Sequence, residues 1–329
     1  MTEKNVVTAV RDALHDEMVA DERIVFMGED VGARGGVFRI SAGWMDEFGD
    51  QRVIDTPLAE SALVGVAIGM ALNGLLPVAE IEFADFIHPA FDQIVSEAAR
   101  MRYRSNGDFG CPLVIRAPCG GGIHGALYHS QNIEAFYGHV PGLKVVMPST
   151  PEDAAGLLRS ALRDPDPVLF LEHKKTYRAV TGDVPDGSYL TPIGTADVKR
   201  AGEDVTVISY GYSLHLCLEA AERLADEEDV SVEIVDVRSI NPLDIETILN
   251  SVRKTGKAMV VYEDNRTYGA GAEIAATIAE LAMFDLDGPI VRLGGPDVPA
   301  MPFAEGLEHA FMEPEPDQIY RRMLELARF

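Results

Sequence analysis

The sequence predicts an α/β protein of two doubly wound domains, and three observations carry that expectation. Short apolar runs of strand length alternate with longer stretches of helical periodicity, as in a parallel sheet covered by crossover helices. The alternation breaks at a polar, turn-rich stretch, Val180-Thr181-Gly182-Asp183-Val184-Pro185-Asp186-Gly187-Ser188, and then restarts. A chain of 329 residues also exceeds what one hydrophobic core usually serves. The break therefore reads as a linker, and the domains are set at 1–182 and 183–329.

In the first half, Ile24-Val25-Phe26-Met27, Val78-Ala79-Glu80-Ile81, Leu113-Val114-Ile115, Lys144-Val145-Val146-Met147 and Val168-Leu169-Phe170-Leu171 read as buried strands. Between them Val6 to Met18, Ala62 to Leu72, Asp92 to Tyr103 and Pro151 to Arg163 carry helical periodicity. After the linker, Val205 to Tyr210, Val232 to Val235, Met259 to Tyr262 and Ile290 to Leu293 read as the strands of a second α/β sheet. The closing segment from near Glu315 to Phe329 reads as a helix whose last turn ends in an aromatic residue.

Composition excludes several classes of function. At 47% hydrophobic residues there is ample core for two domains, yet no uninterrupted apolar run is long enough to suggest a membrane span. Met1-Thr2-Glu3-Lys4-Asn5 lacks the basic and apolar blocks of a signal peptide, so a cytoplasmic location is expected. Cys111, Cys119 and Cys217 are too scattered for a disulfide framework or a four-ligand zinc site. A net charge of −25 argues against nucleic acid, whose phosphates require clustered cations. Only seven of the 28 cations are lysine, and such an acid-rich, lysine-poor composition resembles that of proteins adapted to high salt, where screening removes self-repulsion.

Several residues could carry chemistry. Glu60 immediately precedes the apolar run Ser61 to Gly69. It reads either as a carboxylate near the amide dipoles of a helix start, or as a buried acid of raised pKa able to share a proton with a nitrogen heterocycle. Gly65 and Gly69 lie on one helix face, where missing side chains allow a close backbone approach, from the sheet within or from a partner. Phe83 and Phe86 follow a strand and read first as core aromatics. Gly120-Gly121-Gly122 opens a loop delivering His124 and His129, and no Gly-Lys-Ser/Thr follows to make it a phosphate loop. His15, His88, His139, His173, His215 and His309 show no metal-ligand spacing. Asp164 and Asp166 read as a turn before the strand at Val168.

Gly28-Glu29-Asp30-Val31-Gly32, Asp55-Thr56-Pro57-Leu58-Ala59-Glu60, Arg102-Tyr103-Arg104-Ser105, Tyr128-His129-Ser130-Gln131 and Asp236-Val237-Arg238-Ser239-Ile240-Asn241-Pro242 together resemble the beta subunits of the thiamine-diphosphate-dependent 2-oxoacid dehydrogenases. The resemblance covers nearly the whole chain and is strongest toward the branched-chain (2-oxoisovalerate) type, with the pyruvate and acetoin types next. It implies a thiamine-pyrimidine-binding domain followed by a transketolase C-terminal-type domain. Glu60 would be the acid that protonates the aminopyrimidine ring, with further cofactor contacts from Glu29, Leu58, Ala59, Glu82 and Phe86. Glu82 departs from the family, because branched-chain members commonly carry glutamine there. An unpaired second carboxylate near Glu60 would raise both pKa values, so either Glu82 turns away or the cofactor contact differs. His129 would serve the active centre during acyl transfer to a lipoyl group, assisted by His124. Gly65 and Gly69 would face a subunit partner. Cys111, Leu113, Val114, Ala161, Asp164 and Asp166 would form a potassium site, built largely from main-chain carbonyls with charge added by Asp164.

Thiamine enzymes anchor the diphosphate through magnesium at a Gly-Asp-Gly segment with a downstream asparagine, and the chain has no Gly-Asp-Gly. The resemblance thus implies half of a site, completed by an alpha subunit in an alpha2-beta2 heterotetramer that works with a lipoylated acyltransferase core. The C-terminal residues Arg328 and Phe329 would dock on that core. Two rivals remain: a transketolase-type ketol transfer, for which no sugar-phosphate-binding cation cluster is visible, and a catalytically silent assembly partner.

Overall fold

The computed structural model describes residues 1–299, 301–311 and 314–329, which divide into two compact units. The first comprises Met1–Cys119 and Phe136–Ile193, the second Gly120–Ala135 and Gly194–Phe329.

The first unit is built on six parallel strands. They are β2 (Ile24–Gly28), β3 (Val53–Asp55), β4 (Leu76–Glu80), β5 (Val114–Cys119), β6 (Lys144–Val146) and β7 (Val168–His173), in the order β6-β7-β5-β4-β2-β3. β2, β5 and β7 are buried along their whole length, because helices cover both faces, and this is why each contains an apolar run, interrupted in β5 by Arg116 and ended in β7 by Glu172. The helix Val6–Ala20 is capped by Asn5, whose side chain accepts from the Thr8 amide at 2.9 Å. Its face of Val6, Val10, Ala13 and Leu14 packs with Ala154, Leu157, Leu158 and Ala161 of the helix Pro151–Leu162 in one core with Phe26 and Trp44.

Three expectations change. The stretch around Val180–Ser188 is more than a linker: β8 (Thr181–Val184) pairs antiparallel with β1 (Thr2–Asn5), in register Thr2 to Val184. Both strands are polar and partly exposed, so they carry no apolar signal. Asp92 to Tyr103 is not one α-helix: Gln93–Ala98 winds as a π-helix and α-helical winding resumes only at Met101–Arg104, so the period shifts within the segment. β3, with three residues of which only Val53 is buried, is too short to show as an apolar run and adds a strand to the sheet.

The second unit carries the strands β9 (Asp197–Arg200), β10 (Val205–Ser209), β11 (Val232–Asp236), β12 (Ser239–Asn241), β13 (Ala258–Asn265) and β14 (Val291–Gly295). Five of them form a sheet in the order β14-β13-β10-β11-β9, parallel except for β9. The helices Tyr212–Glu228 and Pro316–Ala327 close a core of Val207, Leu214, Leu224, Ile234, Met259, Ile319 and Met323 against it. The chain end is fastened: Arg328 pairs with Glu228 at 2.5 Å and Lys257 Nζ donates to the Ala327 carbonyl at 2.6 Å.

Candidate active site

In the first unit the strands β4, β2 and β3 lie side by side and parallel, so their C-terminal ends share one edge of the sheet. Ligands of open α/β sheets bind outside such ends. Glu82 follows β4 by two residues, Glu29 directly follows β2, and Glu60 opens the helix that follows β3. All three side chains are half-buried, and among the described residues no hydrogen bond or ion pair engages their carboxylates. The edge is therefore negative and uncompensated by the chain itself.

Burial, followed by the charges of Glu29, Asp30, Glu80 and Glu60, pushes the Glu82 carboxyl up to about 7. Burial also raises Glu29, helped by the neighbouring charges of Asp30 and Glu60. Glu60 occupies the first turn of Glu60–Leu72, while the N-cap position falls to Ala59, which has no side-chain acceptor to offer. Beside this edge Leu58 is 72% exposed, a large apolar side chain left open next to unpaired acids. Phe86 lies in a 3-10 turn, Ala84–Phe86, edge-on to the buried Phe83 at 6.0 Å. Unpaired carboxyls with an open apolar and aromatic surround suit a heterocycle that gains a proton. Among the described residues they do not suit a metal, since no group of three or more His, Cys, Asp or Glu is arranged to hold one.

A second polar group beneath this edge went unnoticed in the sequence. Arg116 of β5 is fully buried, donates to Glu172 of β7 at 2.7 and 2.8 Å, and pairs with Glu80 of β4; Tyr177 Oη donates to Glu172 at 2.8 Å. Burial raises the Glu80 carboxyl, opposed by the Arg116 charge. The pairing cross-links three strands just below the edge that carries Glu82. The signal was present: charged residues interrupt apolar strands, and Glu80 and Arg116 fall opposite one another in the ladder.

His124 and His129 belong to the second unit, on the excursion Gly120–Ala135 that starts straight after β5. His129 is half-buried and His124 exposed. The loop is folded tightly on itself: a Cβ on Gly125 would stand 2.7 Å from the His129 carbonyl oxygen, so only glycine admits this approach.

At the segments proposed for potassium, Lys144 Nζ grips the Asp164 carboxylate at 2.5 and 2.6 Å, and Arg102 holds Asp166 at 2.7 and 2.9 Å. The Asp164 carboxylate is thus already paired with a cation of the chain. The Leu113 carbonyl accepts from Val168 and the Ala161 carbonyl from Asp164. The buried Cys111 thiol is pushed up to about 11 by burial and by the charge of Asp166. On the helix Glu60–Leu72, Leu63, Val64, Ala67 and Ile68 are buried, whereas Ala62, Val66 and Gly69 are exposed. Outside its own helix turns, no atom of the described residues lies within 4 Å of a Cβ placed on Gly69, so this glycine does not serve packing against the sheet of its own unit.

This architecture is that of the transketolase-type enzymes: residues 2–180 match the family described as the transketolase pyrimidine binding domain, and residues 194–319 the transketolase C-terminal domain. A solved structure titled "Split gene transketolase, inactive beta4 tetramer" shares the fold, with a TM-score of 0.78 over 98% of both chains at 23% identity. The 2-oxoisovalerate dehydrogenase subunit beta of Bacillus subtilis is 54% identical over 100% of both chains. The pyruvate dehydrogenase E1 component subunit beta of Acholeplasma laidlawii is 50% identical over 98% of each, and the mitochondrial 2-oxoisovalerate dehydrogenase subunit beta of Dictyostelium discoideum is 46% identical over 90% of this chain and 80% of that protein. The chain belongs to the family of thiamine-diphosphate-dependent 2-oxoacid dehydrogenase beta subunits.

Proposed function

We propose that this chain is the beta subunit of a 2-oxoacid dehydrogenase decarboxylase component that acts on a branched-chain 2-oxoacid and passes the acyl group to a lipoyl group of an acyltransferase core. The observation that carries this reading is the uncompensated edge of Glu29, Glu60 and Glu82, in a chain 54% identical over its full length to a 2-oxoisovalerate dehydrogenase subunit beta. A pyruvate substrate is the second reading, supported by the 50% identity to a pyruvate dehydrogenase subunit.

The residues suit the aminopyrimidine half of thiamine diphosphate, which when bound supplies a carbon nucleophile able to attack a 2-oxoacid and hold the resulting charge. Glu60 would hold a proton against the ring nitrogen, and Phe86 would offer its ring face, with Leu58 and Ala59 beside it. Glu82, at about 7, is protonated in about half of the molecules near neutral pH. Its carboxyl then offers one donor and one acceptor, as the glutamine amide of branched-chain relatives would. His129, with His124, would handle protons during acyl transfer.

The chain has no Gly-Asp-Gly, so an alpha subunit would bring the magnesium and diphosphate half. The exposed Ala62, Val66 and Gly69 would lie against a subunit partner in the alpha2-beta2 assembly, and the exposed, fastened end at Phe329 would meet the acyltransferase core. A potassium ion, if bound, would rest on main-chain carbonyls of Cys111, Leu113, Val114, Ala161, Asp164 and Asp166, because both aspartate carboxylates are already held by cations.

The assignment of Glu60 is tested by Glu60→Gln in the assembled enzyme. Exchange of the cofactor's thiazolium proton should slow by roughly a hundredfold or more, the scale of losing a positioned acid. Exchange near the wild-type rate removes Glu60 from the chemistry.

A further inference from the structure

The backbone of the histidine loop is tied down by carboxylates that lie far away in sequence but within the same compact unit. Gly120 and Gly122 have φ near +80°, and His124 and Ala126 also adopt the left-handed region, at +57° and +54°. Side-chain residues hold such conformations only where their surroundings over-determine them. The resulting turns aim several backbone N–H groups inward, a concavity that attracts anions. Here the chain fills it itself. Glu308, 2% exposed, accepts from the Gly122 amide at 3.1 Å and from the His124 amide at 3.1 Å to each carboxylate oxygen, and its Oε2 meets His124 Nδ1 at 2.5 Å. Glu263, 8% exposed, accepts from the Gly121 amide at 2.7 Å and from Asn132 Nδ2 at 2.9 Å, so it spans the two ends of the loop. At the foot of the loop Tyr210 Oη donates to the fully buried Glu134 at 3.0 Å.

Buried carboxylates are costly unless hydrogen-bonded, and these two satisfy themselves on the amides of the segment that carries the histidines. The same contacts fix which way His124 and the following turn face. We propose that Glu308 and Glu263 are positioning residues that clamp the His124–His129 loop in its working geometry, without touching substrate or cofactor. Two acids, one from the turn of helix Glu305–Phe311 and one from the end of β13, thereby set the backbone on which His129 is presented. The clamp itself stands on geometry alone, whereas its value to turnover rests on the reading of His129 given above.

The test compares Glu308→Ala and Glu308→Gln with wild type in the alpha2-beta2 enzyme, measuring deuterium uptake of the peptide spanning Gly120–Gln131 and turnover with free lipoyl domain. Loss of the charge-assisted acceptor in Glu308→Ala should speed loop exchange roughly tenfold or more, leave strands β10 and β13 protected, and lower kcat more than it alters KM. Glu308→Gln, which keeps one acceptor oxygen, should restore part of both. Unchanged loop exchange in Glu308→Ala, with assembly intact, overturns the clamp. Faster exchange with turnover fully retained upholds the clamp and overturns instead the use of the loop's histidines.

Discussion

Glu82 bears most of the electrostatic strain of the carboxylate edge. Its carboxyl titrates near 7 because ionisation there must overcome burial and the charges of Glu29, Asp30, Glu80 and Glu60. A carboxyl whose pKa rises on folding destabilises the fold once it ionises. The penalty is absent below the ordinary carboxylate pKa near 4.5, grows as pH climbs from there toward 7, and is constant above. Glu82→Gln removes it. The uncomplexed chain should melt about 2 °C higher at pH 8 on this substitution and be unchanged at pH 4.5, measured by thermal scans across that range. An equal shift at both pH values would place the cost elsewhere. Glu60, Glu82 and His129 could be singled out in the sequence because each sits in a short segment of family type. Glu263 and Glu308 were not, since a carboxylate that serves an amide 142 or 186 positions away leaves no local pattern. The one hint was the acidic pair Glu263-Asp264 ending the apolar strand β13.

At the scale of elements, the central strands could be read directly, since burial on both faces favours runs of apolar residues, even where Arg116 and Glu172 interrupt or end them. The edge pairs β1 and β8, and the antiparallel β9, could not, because edge strands are joined through backbone groups and keep polar side chains. The helix Glu60–Leu72 shows a further limit: it is apolar on nearly every side, so its sequence cannot say which face is buried. The structure buries Leu63, Val64, Ala67 and Ile68 and leaves Ala62, Val66 and Gly69 open. Gly69→Leu should therefore leave the isolated subunit as stable as before, or up to about 1 kcal/mol more stable from helix propensity alone. The same substitution should weaken association with the partner subunit, read by sedimentation velocity of the mixture. Undiminished assembly would remove this face from the interface.

At the scale of the whole molecule, a charge of −25 repels itself, and ion pairs such as Arg223 with Asp317 and Arg322 with Glu325 are exposed and worth little each. Adaptation to high salt, as the lysine-poor composition suggests, predicts that the melting temperature rises by several degrees from low to molar potassium chloride; a flat or falling curve contradicts it. The central claim concerns division of labour. On the proposed reading the acids at the edge of β4, β2 and β3 would serve the aminopyrimidine and the histidines of the Gly120–Ala135 loop the acyl transfer, while the sequence has no Gly-Asp-Gly with which to hold a magnesium diphosphate. The most direct measurement is decarboxylation of 3-methyl-2-oxobutanoate, followed with an artificial electron acceptor, with saturating thiamine diphosphate and magnesium, before and after adding an alpha subunit that carries the missing segment. No turnover from the isolated chain, and turnover restored on addition, is the predicted result. Decarboxylation by the isolated chain would contradict the account.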